Sequence, residues 1–162
     1  MDVMSHALVG VAIAAAGKYG VKEGAFVIFF SMLPDIIQIP LYLKVGKESG
    51  RAFWIPKDSD WRGFRDKHPG WSSVFDIPHS LLFLIPLSLA IVWLHLPLIL
   101  LLAYFVHILL DIFTHRGEWK VKLFYPINAS IDGITNAWSW SYGKMIASWV
   151  VLVVLICFLK LF

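Results

Sequence analysis

Residues 98–116 read LILLLAYFVHILLDIFTHR, an apolar run whose histidines and aspartate all lie in its second half. His107, Asp111 and His115 follow one another at intervals of four residues. In a helix this spacing stacks the side chains on one face, about 6 Å apart along the axis. The stretch therefore predicts a membrane helix that carries a stripe of ionisable side chains towards one end.

The whole chain has the composition of a membrane protein. Of its 162 residues, 59% are hydrophobic and 15% are charged, and the mean hydropathy is +0.72. A soluble domain usually has about 45–50% apolar and about 25% charged residues. The single cysteine, Cys157, excludes a disulfide framework and a thiolate metal site. The net charge of +3 comes from basic residues in loops, so we expect no nucleic-acid partner.

Five continuous apolar runs predict an all-α fold, a polytopic membrane helix bundle with about five spans and two polar loops on one side. Helices are favoured because a backbone inside a bilayer must hydrogen-bond within itself. The predicted spans are residues 4–17, 25–43, 79–94, 98–115 and 144–162, and the loops are 44–78 and 116–143. The first loop is long for an unstructured connection, and such loops are often lids. We expect one integral-membrane helical domain over residues 1–162.

Proline and topology together define where the second predicted span ends. Leu33-Pro34-Asp35 is expected to end its regular part, because proline lacks a backbone donor and disfavours helix before it. This span ends on the side where the first begins. The third span begins on that side, and the fourth returns to it. Alternating spans thus bring six dispersed residues to one membrane face.

These six residues are the predicted metal ligands. They are His6, Asp35, His79, His107, Asp111 and His115. Imidazole and carboxylate are common ligands of divalent metals, and ionisable residues in apolar spans are functional candidates. We predict a divalent metal, zinc being favoured over manganese. The alternative is a set of buried hydrogen bonds that ties the helices together.

Two further residues on the same side are predicted to be catalytic. Asp76, three residues before His79, could act as a general base, or alternatively as a helix cap. Arg116 could stabilise an anionic oxygen, or alternatively anchor the chain at the membrane surface.

Lysine and arginine residues are distributed unequally between the two predicted sides. Lys18, Lys22 and Lys160 lie on the far side. The basic residues on the side of the predicted site are Lys44, Lys47, Arg51, Lys57, Arg62, Arg65, Lys67, Arg116, Lys120, Lys122 and Lys144. Cytoplasmic loops carry an excess of basic residues. We therefore predict a multi-pass protein of the cell (inner) membrane whose site faces the cytoplasm.

Five short motifs resemble, in the same order, those of a YdjM-like family of small membrane-bound metal-dependent hydrolases. They are His6-(x3)-Gly10, Leu33-Pro34-Asp35, His79-Ser80, His107-(x3)-Asp111 followed by Thr114, and Tyr125-Pro126. The resemblance implies a zinc-type site built from these histidines and aspartates. The His-(x3)-Asp pattern is also similar to that of zinc-dependent phospholipase C and related nucleases. Family members often carry His-Arg-Gly shortly before His-Ser, whereas residues 74–78 here read VFDIP, so either Asp76 substitutes or one metal is missing.

The residues and the resemblance together predict a membrane-embedded metal-dependent hydrolase. Its expected substrate is an ester or phosphoester of an amphiphilic, lipid-like molecule at the cytoplasmic face, and its expected partner is the lipid bilayer. Two metals about 3.5–4 Å apart could act together, bridged by Asp35 or Asp111. Two alternatives are a non-catalytic protein with a closed structural metal site, and an ion or proton transporter with a polar path across the membrane.

Overall fold

The computed structural model describes residues 2–50 and 58–161, and most of them are helical. Within these ranges the α-helices are α1 (Val3–Ala16), α2 (Val21–Ile37), α3 (Ile39–Glu48), α4 (Asp58–Trp61), α5 (Phe64–Lys67), α6 (Pro69–Asp76), α7 (Leu84–Trp93), α8 (Ile99–Thr114) and α9 (Tyr142–Leu161). Short 3-10 helices occur at Leu81–Phe83, Gly117–Trp119 and Ala137–Ser139. A two-residue antiparallel pair, β1 (Val121–Lys122) with β2 (Ser130–Ile131), lies between α8 and α9. The predicted all-α class is confirmed.

Two helical segments of the described chain are long and apolar enough to cross a membrane. They are Val21–Glu48, which joins α2 to α3, and Tyr142–Lys160 within α9. A third candidate is broken, because α6 and the helical residues Leu81–Trp93 meet at 61°. Helices α1 and α8 have 14 and 16 residues, fewer than the roughly 20 that a vertical crossing needs. The structure therefore supports two or three spans rather than the predicted five.

Element boundaries differ from the prediction in two places. Helix α2 continues through Pro34 to Ile37, so the predicted end of the regular span is wrong. An internal proline removes one donor, and membrane helices tolerate it because neighbouring groups satisfy the freed carbonyl. The regular helix of the predicted third span begins at Leu84 rather than at His79. Before it, Ser80 caps the 3-10 helix by accepting a hydrogen bond from the Leu82 amide at 3.2 Å. Pro86 lies in the first turn of α7, where a missing N–H is harmless.

The first predicted polar loop is largely helical. Its first residues extend α3, and α4, α5 and α6 follow, while residues 51–57 lie outside the described part. A core made of Leu41, Val45, Trp61, Phe64, Phe75 and Trp119 holds these helices together. The Phe75 ring stacks on the His79 ring, with centroids 4.4 Å apart. The polar segment therefore packs directly against one of the predicted ligands.

Helices α1 and α2 approach each other closely at Gly10. A Cβ atom at this position would lie 2.7 Å from the Ile28 Cα, closer than such atoms can approach. The same contact lets the Ser31 hydroxyl donate to the His6 carbonyl at 2.7 Å. Small residues permit this kind of helix packing in membranes. The absence of a side chain at Gly10 thus sets the position of His6.

Replacing Gly10 with alanine should destabilise the protein by about 1–3 kcal/mol, the usual effect of overpacking a tight contact. The free energy of unfolding, measured in mixed detergent micelles, would test this. Gly70→Ala is the matched control, because a Cβ there meets no atom within 4 Å. Equal effects of the two substitutions would contradict the close-packing argument.

Candidate metal centre

Four buried side chains converge from three separate parts of the chain. Asp35 comes from α2, His79 from the turn before α7, and His107 and Asp111 from α8. One nitrogen or oxygen atom from each of them lies within 4.8 Å of the corresponding atoms of the other three. Their side chains are between 0% and 6% exposed. We refer to these four residues as the His/Asp cluster, which could hold a divalent metal.

The spacing of three of these atoms matches that of metal ligands. Asp111 Oδ2 lies 3.2 Å from the Nε2 atoms of both His79 and His107. The two Nε2 atoms are 3.3 Å apart. In tetrahedral coordination with bonds of about 2.0–2.1 Å, neighbouring ligand atoms are about 3.3 Å apart. Asp35 is farther out, with its Oδ1 4.0 Å from His107 Nε2.

Hydrogen bonds at the opposite ring nitrogens define the tautomers of the two histidines. His79 Nδ1 donates to the Phe75 carbonyl at 2.8 Å, and His107 Nδ1 donates to the Ser31 carbonyl at 2.7 Å. A carbonyl only accepts, so each neutral ring presents a lone pair at Nε2. Two lone pairs and a carboxylate oxygen therefore face one point, an arrangement that a cation stabilises. A backbone carbonyl behind the ring is the usual outer partner of a metal-binding histidine.

The remaining two predicted ligands contact the other oxygen of Asp111. His6 Nε2 lies 3.1 Å and His115 Nδ1 3.3 Å from Asp111 Oδ1. The His6 ring also stacks on the His107 ring, with centroids 3.6 Å apart. The structure thus brings all six predicted ligands together, but it divides them. Four form the His/Asp cluster, and His6 and His115 hold its carboxylate from behind.

Both outer histidines are buried, which keeps His115 neutral and leaves one ring nitrogen of His6 without a hydrogen-bond partner. Burial lowers the pKa of His115 to about 4, so this ring is neutral at pH 7. Its Nδ1 also lies 3.2 Å from the Asp111 carbonyl, to which it donates. His6 Nδ1 is buried and has no hydrogen-bond partner. An unsatisfied buried nitrogen is destabilising, and such atoms concentrate at functional sites.

Gln38 belongs to the site although the sequence analysis did not single it out. Its amide donates to Asp35 Oδ1 at 3.0 Å. Asp35 Oδ2 and Gln38 Oε1 are both buried and have no hydrogen-bond partner. The spacing of three residues, which places both side chains on one helical face, was the available signal. The hydrogen bonds to the Ser31 and Phe75 carbonyls could not be predicted from the sequence, because every residue type has a backbone carbonyl.

The two predicted catalytic residues lie outside the His/Asp cluster. Asp76 is fully buried, and its Oδ1 pairs with the Arg65 guanidinium while its Oδ2 lies 3.0 Å from Lys122 Nζ. Arg65 also lies over the Trp119 ring, 4.8 Å from its centroid. Arg116, by contrast, is exposed, and its Nε is 3.8 Å from an oxygen of Asp132.

Helices long enough to cross a bilayer, together with a buried histidine–aspartate cluster, define a membrane protein with a candidate metal centre. Residues 1–162 match the YdjM inner membrane protein family, and the chain belongs to that family. The match spans the whole chain and confirms the YdjM-like family that the short motifs indicate. No curated protein and no solved structure matches the chain.

Proposed function

We propose that this protein is a membrane-embedded metal-dependent hydrolase whose metal is held by the His/Asp cluster. One observation carries the proposal, namely the convergence of two imidazole lone pairs and a carboxylate oxygen at separations of 3.2–3.3 Å. The three close donors, two imidazole nitrogens and one carboxylate oxygen, suit zinc better than manganese, which prefers oxygen ligands, and a catalytic zinc site keeps its fourth position open for water. Membership of an inner-membrane family agrees with a site among apolar helices.

A divalent cation held here would supply Lewis-acid activation of water and of an ester oxygen. The chain's own residues complete the chemistry. Asp35 is better placed than Asp76 to accept a proton, because Asp35 Oδ2 has no partner whereas both oxygens of Asp76 are paired with cations. Gln38 fixes the Asp35 carboxylate through its other oxygen. Arg116, exposed beside the site, provides positive charge for an anionic substrate oxygen.

The proposed substrate is an ester or phosphoester of an amphiphilic, lipid-like molecule. The cluster lies where apolar helices meet polar segments, so acyl chains could remain in lipid while the polar head reaches the site. We further propose that this side faces the cytoplasm, because the segments around the site carry most of the Lys and Arg residues.

A structural metal site is the second candidate, and the burial of the cluster favours it. All four side chains are at most 6% exposed, and structural zinc sites are closed with four protein ligands. In this case the metal would stabilise the packing of α2 on α8 without turnover.

Hydrolysis assays on zinc-loaded, full-length protein in mixed micelles separate the two functions. The substrates are fluorogenic phosphodiester, phosphomonoester and carboxyl-ester lipids. A hydrolase is expected to cleave one class in proportion to its zinc content, with cleavage falling to background in Asp111→Asn. Protein that retains zinc and cleaves none of the three classes would overturn the hydrolase and support the structural site.

His6→Ala should weaken metal binding by about 10–100-fold without abolishing it, the usual effect of losing an outer partner of a ligand. His6→Gln should recover part of the loss, because its amide N–H can still donate to Asp111 Oδ1. Competition with a fluorescent chelator measures both affinities, with His68→Ala as the control, since His68 pairs with Glu48 at the surface. If the Gln variant binds no better than the Ala variant, His6 is itself a ligand.

A further inference from the structure

Four large apolar side chains are exposed on the short segment that contains β2 and the turns on either side of it. Their exposed fractions run from 42% to 78%. We refer to them as the apolar rim, which consists of Phe124, Ile127, Ile131 and Ile134. The one charged residue between positions 123 and 135 is Asp132. Exposed apolar side chains grouped in this way mark a contact with protein or with membrane.

The rim adjoins the outer face of α8. The Ile134 N–H donates to the Phe113 carbonyl at 2.9 Å, and the Gly133 N–H donates to the His115 carbonyl at 2.9 Å. Phe113 ends a row of exposed apolar side chains that follow the helix at spacings of three or four residues. The row consists of Leu102, Phe105, Leu109 and Phe113. The exposed apolar surface of α8 therefore continues from Phe113 into the rim.

The same segment is also bonded to the start of α7. The Leu123 carbonyl accepts the Leu81 N–H at 2.8 Å and the Ser80 hydroxyl at 3.0 Å. From there, exposed apolar side chains again follow the helix at spacings of three or four residues. They are Leu82, Ile85, Leu89 and Val92. The rim therefore lies where the outer faces of α7 and α8 end on the same side.

The backbone and the one carboxylate of the segment suit a position at the boundary of the lipid. A non-helical segment tolerates dry surroundings only where its N–H groups are bonded. The Ile127 N–H is bonded within the segment, and the Ile134 N–H is bonded to α8. Asp132 accepts the Gly117 N–H at 2.7 Å, and its other oxygen lies 3.8 Å from Arg116 Nε. The negative charge is therefore directed at a polar segment and away from the rim.

We propose that the apolar rim lies in the bilayer, at the boundary between headgroups and acyl chains, and contacts lipid. Three observations favour lipid over a second protein as its partner. The rim continues the outer faces of two apolar helices. The candidate span in α9 begins at Tyr142, shortly after Ile134. The chain also belongs to a family of inner membrane proteins.

The rim sets the depth of the His/Asp cluster. His107 and Asp111 precede Phe113 on α8, so a rim at the lipid boundary places both on the membrane side of that boundary. As a route for substrate this rests on the proposed hydrolase, whose ester would reach the cluster from the lipid phase. The depth of the rim itself does not depend on hydrolysis.

Nitroxide labels on single cysteines measure this depth in nanodiscs of phosphatidylcholine and phosphatidylglycerol. Full-length Cys157→Ala, which lacks the single native thiol, carries Ile127→Cys or Ile134→Cys. Phe105→Cys, within the exposed row of α8, is the deep reference, and Lys67→Cys, on the exposed surface of α5, is the aqueous control. Melting temperatures establish that each variant folds.

The ratio of collisions with oxygen to collisions with a water-soluble nickel chelate is the readout. Both rim labels should show a ratio severalfold higher than that of Lys67→Cys and closer to that of Phe105→Cys. A ratio at either rim position no higher than that of Lys67→Cys would put the segment in water and overturn the proposal. Protection from both reagents would mean that protein covers the rim, and would also overturn it. A rim in lipid on a protein that cleaves no ester would count against the hydrolase alone.

Discussion

Asp111→Asn is expected to abolish tight metal binding. The Asp111 carboxylate contacts His79 and His107 through Oδ2, and His6 and His115 through Oδ1. Asparagine has nearly the same shape but no negative charge, and its NH2 group cannot coordinate a cation. The loss of affinity should exceed the roughly 10–100-fold that removal of an outer partner produces. Competition titrations with a chelator of known affinity measure this change.

Two variants serve as controls for Asp111→Asn. Asp66→Asn removes an exposed carboxylate from α5, and His95→Asn removes a histidine from the turn between α7 and α8. Asparagine is chosen at His95 because that residue has a φ of 53°, a conformation that asparagine adopts readily. Both controls should retain wild-type affinity. A wild-type affinity in Asp111→Asn as well would show that the cluster does not bind the metal.

Asp76→Asn should lower the free energy of unfolding by about 3–5 kcal/mol, the usual loss when one partner of a buried ion pair is removed. Asp76 is fully buried between Arg65 and Lys122, so the variant leaves a largely buried guanidinium without its counter-charge. The effect should reach the site, because α6 also supplies the Phe75 carbonyl that orients His79. Unfolding in mixed detergent micelles measures the stability.

The control for Asp76→Asn is Glu48→Gln. Glu48 pairs with Lys44 one helical turn away, at 2.9 Å, and both side chains are partly open to solvent. Exposed pairs of this kind contribute little to stability, so Glu48→Gln should change the unfolding free energy far less. Similar changes in the two variants would mean that Asp76 is not part of a stabilising buried network.

The convergence of the ligands could be predicted from the sequence because it follows from connectivity. Apolar segments that alternate in direction bring His6, Asp35, His79 and the His107–Asp111 pair together, although fewer segments cross the membrane than predicted. The number of spans could not be predicted as reliably. Apolar residues give the same sequence pattern whether they are buried in a helix bundle or face lipid. Helices α1 and α8 are apolar but too short for vertical spans.

The division of the site into ligands and supporting residues could not be predicted from the sequence either. His6 and His107 are the same residue type on apolar helices, and only the packing of α1 on α2 places His6 behind Asp111. The partners of Asp76 lie 11 residues before it and 46 residues after it, so no local pattern predicts them. The prediction that Asp76 acts as a base did not consider the two cations, Arg65 and Lys122, that pair with its carboxylate.

Elemental mass spectrometry of the full-length protein, purified in mild detergent and dialysed, tests the metal centre most directly. We predict about one equivalent of zinc per chain, in line with a single His/Asp cluster. The same content is expected in His95→Asn, and none in Asp111→Asn. Wild-type protein that holds no metal, even after incubation with zinc and with manganese, would contradict the metal centre and leave the buried histidines and aspartates a structural or proton-handling role.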